Sequence, residues 1–149
     1  MLKAAATTGK SIVVGTLFFA TLGMAEGALA VGVPADVATA GFSFGFSAGV
    51  TAGAAARERA LNSCRTNNNG GSDETKALCK IVDNFRNKCV AVSMDPKFGT
   101  PGVGRAIAKN RHEAEQQALA HRKPTAGDDR ISFCEITSFG CDGTAAAKK

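Results

Sequence analysis

Apolar and polar positions alternate along this chain with two different periods, and the pattern occurs twice. Phe42, Phe44 and Phe46 are separated by Ser43 and Gly45, and a period of two predicts a strand with one buried face. Ala56, Ala60, Leu61 and Cys64 then follow the spacing A-x-x-x-A-L-x-x-C. Small residues at i and i+4 share one helix face, where another element can approach closely. The spacing returns at Ala114, Ala118 and Leu119, with Arg122 standing where the cysteine would be. Asn110 and Glu113 have capping-box spacing at the start of this second helix, so the Asn side chain satisfies a backbone N–H left over there.

A turn-rich loop and then a strand follow each helix. The loops are residues 67–73 and 123–129, both built from Asn, Gly, Ser, Asp, Pro and Thr. Cys79-Lys80-Ile81 leads to Phe85 and Cys89, and Cys134-Glu135-Ile136 leads to Phe139 and Cys141. Val90 to Met94 extends the sheet, and residues 95–104 turn the chain into the second copy. The expected fold is a small pseudo-symmetric α+β domain made of two strand-helix-strand half-repeats. They share one antiparallel sheet, with two helices on one face. Residues 143–149 carry no apolar pattern and read as a disordered tail.

Residues 1–30 read differently, as a cleavable signal peptide. Lys3 and Lys10 give a positive start, and Ile12 to Met24 form an apolar run too short for a bilayer span. Ala28-Leu29-Ala30 supplies the small-x-small pattern of a cleavage site. Residues 31–40 then form a leader into a single domain at 41–142. No cysteine follows the apolar run closely, which argues against a lipoprotein, and no other segment is long enough to anchor the cleaved chain in a membrane. The expected location is periplasmic or secreted.

Export changes the meaning of the five cysteines. In an oxidising compartment they are candidates for disulfides before catalysis or metal binding. Two copies of three cysteines would make six, and Arg122 marks the missing one. On the repeat alone, Cys64 pairs with Cys79, Cys89 pairs with Cys141 across the copies, and Cys134 is left as the unpaired thiol. A core with nine Phe and no Trp or Tyr gains from such bridges. The net charge of +5 falls by one when Lys3, Lys10 and Glu26 leave, which is a mildly basic balance.

Other motifs lack the context their chemistry needs. Gly41-Phe42-Ser43-Phe44-Gly45 matches the nucleophile elbow G-x-S-x-G, and Asp83 and His112 follow in triad order. That elbow needs a helix directly after it and a large α/β sheet. His112-Glu113 begins a zinc-binding H-E-x-x-H, but Gln116 replaces the second His. A metal site from His121 and Cys134 has no C-x-x-C spacing to support it. Gly99 to Gly104 lacks the G-K-[ST] ending of a phosphate loop. Lys109, Arg111, Arg122 and Lys123 form a candidate anion-binding stripe. No aromatic residues interleave with them, so nucleic acid is not an expected partner.

The repeated A-x-x-x-A-L, the C-x-I-V with Phe85 and Cys89, and the closing cysteine pair resemble the bacterial domain of unknown function 4189. The resemblance covers about Phe42 to Cys141 and departs at Arg122. It implies a small exported domain and brings no activity, cofactor or catalytic residue. The function expected is non-catalytic binding of another envelope or secreted protein, with no cofactor and no metal. The rivals are a secreted hydrolase using Ser43 and a redox or metal protein using the unpaired thiol.

Overall fold

A computed structural model describes residues 26–67, 71–97, 100, 102–122 and 129–146. The chain runs β1 (Glu26–Gly32), α1 (Val37–Ala40), β2 (Ser43–Val50), α2 (Gly53–Thr66), α3 (Asp73–Ala77) and β3 (Lys80–Phe85). It continues through β4 (Cys89–Met94), β5 (Val103–Ala108), α4 (Arg111–His121) and β6 (Glu135–Cys141). Two antiparallel sheets result, in the orders β2-β1-β3 and β5-β4-β6. Each copy is therefore strand-strand-helix-strand, with its first strand in the middle. This corrects the expected unit, which lacked β1 in the first copy and β5 in the second, and the expected single sheet.

The burial pattern explains the layering. Along β1, Ala28 and Ala30 pack with Ala56, Ala60 and Cys64 of α2. Leu29 and Val31 point the other way and meet Val90 and Val92 of β4. In the second copy, Ala91, Ala106 and Ala108 pack against Ala114 and Ala118 of α4. The two sheets thus lie face to face, with one helix on each outer side. Both middle strands are buried on both faces, and their residues read as near-continuous apolar runs for that reason.

Residues 26–30 are consequently part of the fold. β1 pairs with β2 from Glu26 to Gly32 and with β3 from Gly27 to Val31. Cleavage after Ala30 would cut the middle strand, and residues 31–40 are no leader, since they hold the end of β1 and α1. The expected domain boundary at residue 41 is corrected to Glu26. Residues 1–25, with Lys3, Lys10 and the run from Ile12 to Met24, lie outside the described residues. The start of the expected disordered tail is corrected too, because Gly143–Ala145 form a 3-10 turn and Ala145 is buried, while residues 147–149 lie outside the described residues.

The helix faces are small because the helices sit close to the sheets. Gly45 of β2 lies under α2, where a Cβ would overlap the backbone at Cys64 and Ala60. Gly104 of β5 lies under α4, where a Cβ would overlap the Ala118 carbonyl and the Arg122 nitrogen. Backbone cannot swing away as a side chain can. G45A and G104A are each expected to cost about 1–3 kcal/mol, as overpacked cores do. Urea unfolding measures this, and an unchanged midpoint would contradict the close approach. The Asn110 side chain accepts from Glu113 N at 2.9 Å, as the capping spacing requires. Glu113 itself pairs with Lys109.

The two copies are joined at one end by Asp142, which is fully buried. Its carboxylate accepts from Gly49 N at the end of β2 (2.8 Å) and from Asn87 N in the connection between the copies (3.3 Å). Asn87 has a φ of 54°, a conformation Asn tolerates better than most residues, and its side-chain oxygen accepts from Thr144 N.

Candidate functional site

Register makes the two copies comparable residue by residue. Glu26 occupies the place of Cys89, and Ala30 that of Ser93; Ile81 matches Ile136. Each copy has two positions where distant segments are tied. The first joins the helix end to the start of the last strand. In copy one this tie is the Cys64–Cys79 disulfide. In copy two Arg122 faces the corresponding Cys134 region, and its Nε donates to Ile131 O at 2.7 Å. The second tie joins the start of the first strand to the end of the last. In copy two it is the Cys89–Cys141 disulfide, and in copy one the Glu26–Arg86 ion pair.

Both expected bridges are therefore present, and Cys134 is the free cysteine. One detail is corrected: Cys89 and Cys141 are not counterparts of each other, and their bond closes one copy rather than spanning two. By the same equivalence, R122C should form a third bridge to Cys134. A loop of this length is worth about 3 kcal/mol. Non-reducing peptide mapping and urea unfolding would show it; a variant with two free thiols and unchanged stability would refute the equivalence.

Cys134 is buried and its thiol donates weakly towards Gly102 O. Burial pushes the thiol pKa up, against the pull of Arg122. A reactive thiol needs the opposite, exposure with a lowered pKa. Above it, Asp95 is buried and held by two bonds from Arg130, Nε to Oδ2 at 2.8 Å and Nη2 to Oδ1 at 2.7 Å. The Arg130 bonds hold the Asp95 carboxyl below its ordinary range. That pair fastens the β4–β5 loop to the approach of β6.

The other sequence candidates are dispersed. Ser43 is buried, and its hydroxyl donates to the Cys64 carbonyl at 2.5 Å. Asp83 lies on β3 of the first sheet, whereas His112 is exposed on α4 outside the second. These three residues do not form the elbow arrangement. In the expected cationic stripe, Lys109 pairs with Glu113 and Arg111 with Glu115. Arg111 also stacks over the Phe139 ring, and Arg122 turns to Ile131. Lys123 lies outside the described residues. His121 Nδ1 meets Arg105 O at 2.8 Å, separately from Cys134. Among the described residues no cluster of three or more His, Cys, Asp or Glu is placed to hold a metal ion.

The feature that sequence reasoning missed is a cleft of about 530 Å³ between the two sheets. Its walls include Leu29, Val82 and Asp83 on one side, and Val103, Arg105 and His121 on the other. Register shows why it exists. Leu29 is flanked by Phe46 on β2 and Asp83 on β3. Its counterpart Val92 is flanked by Arg105 on β5 and Ser138 on β6. Leu29 and Val92 both face the core between the sheets, so all four flanking positions lie in that inner row. On the β2/β6 side, Phe46 fills the gap and lies against Gly140. On the β3/β5 side, the counterpart of Phe46 is Arg105, and Asp83 faces it across the open cleft. Both are exposed.

No curated protein and no solved structure matches this chain. The family model described as a domain of unknown function, DUF4189, matches residues 27–141, so its edges coincide with the first and last strands of the two-sheet fold, and the chain belongs to that family.

Proposed function

We propose that this protein is exported and acts as a non-catalytic binding domain for another envelope or secreted component, using the open side between β3 and β5. The observation that carries this reading is the broken symmetry of the sandwich. One side is filled by Phe46, while the other keeps a cleft lined by exposed charges that make no ion pair among the described residues. Two disulfides fit folding in an oxidising compartment, and among the described residues no helix is long and apolar enough to cross a membrane. Gly23-Met24-Ala25 supplies a small-x-small pattern whose cleavage leaves β1 whole. Two candidate nucleophiles are occupied or covered, since Ser43 is bonded to a carbonyl and the Cys134 thiol is buried.

The test is the intact mass of the natively produced protein, alkylated without reduction. The expected chain begins at Glu26, with two bridges and one cysteine alkylated only after unfolding. A full-length chain with five alkylated cysteines would overturn export. For the binding half, a photo-crosslinker at Val82 should give a discrete adduct in the native compartment, and one at the more exposed Leu78 should not. Indistinguishable labelling from both positions would overturn the cleft as the binding surface.

A further inference from the structure

We infer that the β3/β5 cleft takes a short zwitterionic ligand with an apolar body, of the size of one or two amino acids, whose ammonium group meets Asp83 and whose carboxylate meets Arg105. This rests on the binding reading above and names the chemistry of the same site. Asp83 and Arg105 carry opposite charges on facing lips, on inner-row positions flanking Leu29 and Val92. Neither makes an ion pair among the described residues. Between them the floor is apolar, formed by Leu29, which is 2% exposed, and the half-buried Val103 and Ile107.

The fold does not require these charges. Their counterparts on the closed side are Ser138 and Phe46, and that side is filled without them. An inward charge on one edge strand can serve to block edge-to-edge pairing. Such a guard needs no second charge of opposite sign on the facing sheet, and it needs no cavity. Packed sheets lie about 10 Å apart, and an extended residue spans roughly 3.5 Å. A molecule of one or two residues therefore fits between the lips with a hydrogen bond at each end. A ligand with one charge would leave the other lip unpaired. A wholly apolar ligand would leave both so.

The experiment is an NMR titration of the oxidised protein with four probes: leucyl-leucine, its N-acetyl form, its C-terminal amide, and the doubly capped molecule. All four share the apolar body. Leucyl-leucine is expected to shift amide signals of β3 and β5 and to bind about five- to tenfold more tightly than either singly capped form, as charge-assisted hydrogen bonds allow. D83N should weaken leucyl-leucine and leave the N-acetyl form unchanged. R105Q should weaken leucyl-leucine and leave the amide unchanged. Both residues are exposed, so each variant should keep the parent spectrum elsewhere. Equal binding of all four probes at the cleft would overturn the zwitterion assignment while leaving a binding cleft in place. Silence of β3 and β5 towards all four would overturn the inferred ligand altogether, and the crosslink from Val82 then judges the binding reading independently. Self-association of D83N or R105Q with unchanged affinity would show that the charges guard an edge instead.

Discussion

A chain beginning at Val31 will not fold, and one beginning at Glu26 will. Removing residues 26–30 takes away most of β1, the strand to which β2 and β3 are both bonded. The two outer strands then lose their shared partner, and their backbone groups lose their ladder bonds. Each such group left buried and unpaired costs about 1–3 kcal/mol. The contacts of Ala28 and Ala30 with α2, and of Leu29 with the second sheet, go as well. A domain of this size has only about 5–15 kcal/mol of total stability, so the loss exceeds what it holds. The check is thermal unfolding of chains 26–149 and 31–149, both oxidised. A cooperative transition is expected for the first and none for the second. Equal transitions would mean that β1 is dispensable and that cleavage after Ala30 is compatible with the fold.

Losing the Cys89–Cys141 bridge should be the next most damaging change. It closes a separation of 52 residues, against 15 for Cys64–Cys79. On loop-closure entropy, the longer bridge contributes about 4 kcal/mol and the shorter about 3. The longer one also ties the two ends of copy two, where Cys89 is fully buried. The double variant C89A/C141A should therefore lose more stability than C64A/C79A, measured by urea unfolding of each. The reverse order would show that local packing around α2, rather than loop length, decides the worth of these bonds.

Much of the architecture is readable because in several elements the residue type alternates between large apolar and small side chains from one face to the other. The Phe42–Phe46 alternation marked β2, and Ala at i and i+4 marked α2 and α4. The cysteine-led segments marked β3 and β6. Burial on both faces hid β1: Ala28 to Val31 are all buried, and such a strand has the same apolar character as the core of a signal sequence. Gly104 and Arg105 interrupt the apolar pattern of β5, so the turn expected over residues 95–104 covers its first two residues and the rest carries no strand signal. The helices α1 and α3, of four and five residues, are too short for periodicity to show. The disulfides followed from the repeat, although the counterparts of Cys89 and Cys141 turned out to be Glu26 and Arg86. The cleft was not legible in advance. Asp83 and Arg105 belong to different sheets, and only the register reveals that they share an inner row. A signal was nonetheless present, because Arg105 stands where the first copy has Phe46.

Asp142 fastens the two halves of the fold to each other. Its carboxylate belongs to the last turn of copy two, yet it satisfies an amide at the far end of β2 in copy one and another in the connection between them. Were the halves to separate, the buried Asp142 side chain and the Gly49 backbone donor would lose each other as partners. The halves therefore cannot behave as independent foldons, as modules in an extended repeat array can. The two halves hold one another in place through this contact. A change at Asp142, after the last strand, therefore reaches the end of β2 in the other half.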